Sequence, residues 1–152
     1  MTIIRTYPNN HIKNIERDQG ANEARMYRAA NRLINKIVPI PNWRSLAESH
    51  VLRWQAGAID LATLNNCIRH QVFPGYHTHM ARGVEDFTYN LVKSRVNDAV
   101  SNIINGIISE RNRKLEEALD MIQQCAIAAL ESDDPNSVYE LVLQLAEKSS
   151  PK

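Results

Sequence analysis

The sequence is poor in the residues on which several specialised classes of protein depend. Of its 152 residues, two are cysteine, five are glycine and six are proline, and aromatic residues make up 6%. Two cysteines form no disulfide framework, so we expect a reducing compartment. The shortage of glycine and proline excludes collagen-like and low-complexity chains. With 43% hydrophobic and 23% charged residues, the composition is typical of a globular chain with its own core.

Long apolar runs are scarce as well. No apolar stretch reaches the ~18 residues that a membrane-spanning helix needs, so we expect no membrane association. The N-terminal sequence "MTIIRTYPNNHIKN" lacks the apolar centre of a secretory signal. Together with the cysteine usage, these features predict a cytoplasmic protein.

Apolar residues recur instead with the spacing of helices, and no alternating strand pattern is present. The spacing predicts helices over about 21–38, 43–54 and 61–71, with Asn42 and Asp60 as N-caps of the second and third. Proline-containing and glycine-containing breaks separate these helices. We therefore predict an all-α fold, a helical bundle of five or six helices.

The segment 84–131 is predicted to be a long Ile-rich helix or a helical hairpin. It contains no proline and one glycine. A single helix of this length would extend about 70 Å, more than the width of a domain of this size. Because the six polar residues "SERNRK" interrupt the apolar stripe, we favour a hairpin that is broken near 109–113.

Composition also suggests a division of the chain. Turn-forming and polar residues predict a flexible N-terminal arm over 1–20, followed by a single helical domain over 21–148 and a tail over 149–152. Charge is distributed unevenly, because residues 1–83 carry a net +6 and residues 84–152 a net −5. The domain therefore has a basic part, 21–83, and an acidic part, 84–148.

One face of the first predicted helix is basic. Its four cations recur at three- and four-residue spacing opposite the apolar stripe, and they are Arg25, Arg28, Arg32 and Lys36. Arginine suits bidentate contact with phosphate or carboxylate groups. We expect this face to bind a polyanion, such as nucleic acid, or an acidic protein surface. The alternative is that the acidic part of the same chain neutralises it.

The Ile-rich helix predicts self-association. Four isoleucines, which are Ile103, Ile104, Ile107 and Ile108, cover more than half of the helix circumference. One neighbouring helix buries a stripe of ~100° or a little more. We therefore expect a homo-oligomer with these residues at or near the interface.

The stretch "CIRHQVFPGYHTH" brings four possible zinc ligands close together in sequence, which are Cys67, His70, His77 and His79. The spacing matches neither C-x2-C nor H-x3-H, so we expect a helix end and a turn, with no cofactor. Zinc remains the alternative.

These features predict a non-enzymatic helical binding protein that self-associates and docks its basic face onto a polyanion. Two alternatives stay open. One is a metal- or histidine-dependent enzyme that uses residues 67–79, and the other is a structural subunit of a viral or filamentous assembly.

Overall fold

The computed structural model describes residues 3–131, 140 and 142–147. In these residues every regular element is helical and no strand is present, which confirms the all-α prediction. The chain divides into two compact units, Met1–Ile107 and Ile108–Lys152. The first unit contains all the helices before residue 86 and the beginning of a long helix over 86–131, and the second contains the rest of that helix and the helical residues 140 and 142–147.

Helix α1, Asn9–Gln19, lies where the sequence predicted a flexible arm. Ile4, Ile12 and Ile15 are buried, so this segment contributes to the core. Ile12 and Ile15 are three residues apart and therefore share one face of the helix. The turn-rich composition concealed this short apolar stripe, which is why the prediction missed the helix. Gly20, with φ of 108°, separates α1 from the next helix.

The next three helices begin close to their predicted positions. They are α2, Ala21–Lys36, α3, Trp43–Gln55, and α4, Leu61–Cys67. Asp60 caps α4, since its side chain accepts a hydrogen bond of 2.7 Å from the Thr63 amide. Asn42 stands at the N-cap position of α3 without a capping side-chain hydrogen bond.

A π-helical turn, Ile68–Val72, follows α4, and α5, Pro74–Met80, begins directly afterwards. The third helix was predicted to extend to about residue 71. The chain is helical to this point, but its last turn is π-helical and not α-helical. Proline fits the first helical position because it needs no amide hydrogen there. Val72 and Phe73 have no exposed surface. The junction between the π-helical turn and α5 is therefore part of the core and not a surface loop.

Helix α6, Asp86–Glu131, is one continuous helix of 46 residues, so the predicted hairpin is wrong. The polar residues at 109–114 support the helix, because Lys114 pairs with Glu110 and Arg113 with Glu117, four residues apart. Neither proline nor a tight turn interrupts this segment. Within the described ranges, no helix is long and apolar enough to cross a membrane.

The core of the first unit draws on each of its helices. Its side chains with less than 2% exposure include Ile4, Ile34, Ile37, Val51, Leu64, Ile68, Val72, Phe73, Val92, Val96 and Val100. In the second unit Ala129 and Leu145 are buried. Residues 140 and 142–147 are helical as well. The predicted tail over 149–152 lies outside the described residues.

Candidate interaction surfaces

The four basic residues of α2, which we call the α2 basic face, are exposed as predicted. They are Arg25, Arg28, Arg32 and Lys36. Two of them form ion pairs within the chain. Arg25 lies 3.1 Å from Glu85, and Arg28 lies 2.8 Å from Glu16.

These pairs divide the α2 basic face into two parts. The paired side chains keep about half of their surface exposed, and exposed pairs contribute little stability. Arg32 and Lys36 have no ion-pair partner among the residues that the structure describes. The positive charge that is available to a partner is therefore concentrated toward the C-terminal end of α2.

The four possible zinc ligands are not brought together. His77 and His79 both lie in α5, so their side chains point roughly 200° apart around the helix. The rings of His70 and His77 approach each other, with their centroids 6.1 Å apart. The described part of the chain contains no group of three or more His, Cys, Asp or Glu side chains that could hold a metal ion.

His70 is also poorly suited to being charged. Desolvation lowers its pKa below the usual value, and the nearby positive charge of Arg69 and the neighbouring His77 lower it further. The side chains whose charge acts on His70 are Arg69 and His77. Residues 67–79 thus comprise the end of α4, the π-helical turn and most of α5, with a contact between the His70 and His77 rings.

His50, on the apolar side of α3, has a structural role. It is 6% exposed, and its Nε2 lies 2.8 Å from Gln71 Oε1 in the π-helical turn. Arg53 lies 3.3 Å from Nδ1. A guanidinium only donates, so Nδ1 accepts and Nε2 donates to the amide oxygen. Both ring nitrogens are thus engaged, which joins α3 to the turn.

Tyr7 forms the centre of an aromatic and cationic cluster that the sequence did not reveal. Arg95 lies over its ring, and Tyr27 meets the ring edge-on at 5.0 Å between centroids. The Tyr7 hydroxyl donates to the Leu91 carbonyl at 2.9 Å. Desolvation raises the pKa of this hydroxyl. The residues that meet here come from distant parts of the sequence, so no local motif could indicate the cluster.

A cavity of about 200 Å³ lies next to this cluster. Its lining residues are Ile3, Arg5, Arg95, Asp98, Ala99, Ser101 and Asn102. Two guanidinium groups would favour an anion, but the Asp98 carboxylate opposes one. The cavity therefore supports no ligand class by its charge.

Three of the four isoleucines that were predicted at an interface are buried within the single chain. Ile103 and Ile104 are 6% exposed and Ile107 is 4% exposed, while Ile108 is half-buried. The first three therefore offer little apolar surface to another protein. The sequence predicted a wide apolar arc correctly, but the chain itself covers most of it.

Several exposed apolar residues lie further along α6, in the second unit. Leu115 is 61% exposed, Leu119 is 59% exposed and Ile122 is 43% exposed. Ala126 is exposed as well, and Ile108 begins the same face. We call Ile108, Leu115, Leu119, Ile122 and Ala126 the α6 apolar stripe. Exposed apolar patches are a common feature of interaction surfaces.

Comparison with known protein families, with curated proteins and with solved structures found no match. Function is therefore inferred from the chemistry and exposure of the chain's own residues.

Proposed function

We propose that this protein is a helical binding protein that self-associates through the α6 apolar stripe. The observation that carries the proposal is the exposure of Leu115, Leu119 and Ile122 on a face that continues from a half-buried Ile108. Leaving this face in water is unfavourable by roughly 25 cal/mol for each Å² of apolar surface. A second helix laid along the stripe would remove that surface from water.

Self-association was also predicted from the sequence, but at the four isoleucines of residues 103–108; the proposed interface lies further along α6. Burial of Ile103, Ile104 and Ile107 inside the chain supports this change. Leu115 and Leu119 follow residues 109–113, so they lie in what the sequence predicted as the second helix of a hairpin. Since α6 is continuous, no hairpin partner covers Leu115 and Leu119.

A mass measurement in solution tests the proposal. Sedimentation equilibrium of the full chain should show a dimer or larger oligomer at tens of micromolar protein, and Leu119→Lys should shift it to monomer. Ser101→Lys, on the exposed surface of the first unit, is the control and should leave the mass unchanged. A wild-type monomer at all concentrations would contradict the proposal. Open-ended polymers would instead favour the assembly-subunit alternative.

A second function, polyanion binding by the α2 basic face, is supported by a separate observation. Arg32 and Lys36 are exposed and have no ion-pair partner in the described residues. Partnerless cations on one helix face can contact successive phosphates and release counterions.

Salt-dependent binding to a short DNA duplex tests this second function. Arg32→Glu with Lys36→Glu should weaken binding and reduce the slope of log affinity against log salt by about two. Arg82→Glu with Lys93→Glu makes the same change in net charge at other exposed sites. If both double variants weaken binding equally, the effect is one of net charge and the α2 basic face has no special role.

A further inference from the structure

The α6 apolar stripe follows the spacing of a coiled coil. Positions 108, 112, 115, 119, 122 and 126 alternate between four- and three-residue steps, the pattern of positions d and a in a heptad. Ile108, Leu115 and Ile122 fall at d, and Leu119 and Ala126 fall at a. Asn112 occupies the remaining a position and is exposed. The next d position, Ala129, is already buried, so the available seam ends at residue 126.

Two charged residues border this seam, one on each side. Arg111 precedes Asn112 and therefore occupies position g, while Glu116 follows Leu115 at position e. Five residues along a helix correspond to about 140° of rotation beyond one turn, so these two side chains cannot meet within one helix.

The charged residues that neighbour Arg111 and Glu116 in the sequence form ion pairs within the same helix. Arg113 lies 3.0 Å from Glu117, and Lys114 lies 3.6 Å from Glu110. All four of these residues fall at the outer positions b, c and f. Arg111 and Glu116 have no ion-pair partner within the described ranges. The two charges beside the seam are thus unpaired, whereas the four charged residues nearest to them at outer positions are paired.

We propose that a second copy of this chain occupies the α6 apolar stripe as a parallel, in-register two-stranded coiled coil over 108–126. The inference rests on the proposed self-association and adds its geometry. In a parallel pair, position g faces position e of the next heptad in the partner. Arg111 then meets the partner's Glu116, and the twofold axis repeats the contact.

Orientation follows from the same charges. In an antiparallel pair, g faces g and e faces e, so Arg111 would meet residues such as Ala118 or Cys125 and no carboxylate. Asn112 supports the parallel register as well, because a single asparagine at position a fixes both register and two-stranded state at a cost in stability. The seam is short and ends in an alanine, so we expect dissociation in the micromolar range.

Charge reversal distinguishes this register from others. Arg111→Glu and Glu116→Arg, made separately, should each weaken the dimer about fivefold, because each places like charges together twice per dimer. The double variant should restore wild-type dissociation. The matched control exchanges Arg113 and Glu117, whose pair lies within one helix, and should leave dimerisation unchanged.

Disulfide trapping tests the orientation directly. Asn112→Cys is made in a background of Cys67→Ser and Cys125→Ser, and mild oxidation should link two chains across the axis. Gln124→Cys, at the outer position f, is the control and should remain unlinked.

The outcomes separate the two proposals. Suppose that Leu119→Lys abolishes the dimer, but that Asn112→Cys does not link the chains and the double charge reversal does not restore affinity. That result overturns the parallel register alone. A monomer at all concentrations overturns both the register and the proposed function.

Discussion

The guanidinium carbon of Arg95 lies 4.1 Å from the centroid of the Tyr7 ring. This contact joins the N-terminal segment to α6 within the first unit. Asn31 of α2 holds the same segment, because it accepts from the Tyr7 amide at 2.8 Å and donates to the Tyr7 carbonyl at 2.9 Å. Tyr7 therefore connects the N-terminal segment to both α2 and α6.

Replacing Tyr7 should remove these contacts and destabilise the folded protein. Tyr7→Ala removes the ring that contacts Arg95 and Tyr27, and we expect the free energy of unfolding to fall by about 2–3 kcal/mol. Tyr7→Phe removes only the hydrogen bond to the Leu91 carbonyl and should cost about 1 kcal/mol. Chemical denaturation measures both values. Equal losses in the two variants would show that the ring contacts contribute little.

Substitutions at two N-cap positions test whether the capping hydrogen bond of Asp60 stabilises the protein. Asp60→Ala removes the side chain that accepts from the Thr63 amide and should lower Tm by a few degrees. Hydrogen bonding to Thr63 lowers the pKa of Asp60, which identifies the carboxylate as the form that caps. Asn42→Ala is the matched control, since Asn42 makes no capping side-chain bond. We expect its Tm to stay within about one degree of wild type.

Gly106 lies inside α6, where a methyl group would meet no atom within 4 Å. Gly106→Ala should therefore raise the free energy of unfolding by about 0.5–1 kcal/mol, because alanine loses less backbone entropy in a helix. Gly57→Ala should destabilise the protein instead, since Gly57 has φ of 78° and the space around it does not relieve that backbone strain. Thermal and urea unfolding of both variants would give the two signs.

The phenol of Tyr76 predicts a loss of stability at alkaline pH. Burial, followed by a hydrogen bond and charge interaction with Tyr89, raises its pKa from 10.0 to about 12. The folded state thus retains a proton that the unfolded state releases. Stability from this group is complete below pH 10 and is lost between pH 10 and about 12. Urea unfolding across this range should show a shallower decline for Tyr76→Phe than for the wild type, and parallel declines would contradict the assignment.

Local signals in the sequence determined most of the helix boundaries. Asp60 and the apolar spacing predicted α4, and the prolines after residue 38 predicted the end of α2, because caps and proline geometry act over only a few residues. The all-α class followed from the same periodicity. The short stripe of Ile12 and Ile15 was too brief to outweigh the turn-forming residues around it, so α1 was missed.

Burial was decided by the tertiary structure. The sequence placed Ile103, Ile104 and Ile107 on a wide apolar arc, and it placed Leu115 and Leu119 on another. Periodicity shows which side chains share a face, but it contains no information about which face another element covers. The first arc is buried in the chain and the second is exposed, so the proposed interface lies at the second. In the same way, the tertiary fold brought Arg25 to Glu85 and Tyr7 to Arg95, because contacts between residues far apart in the chain depend on how the helices pack.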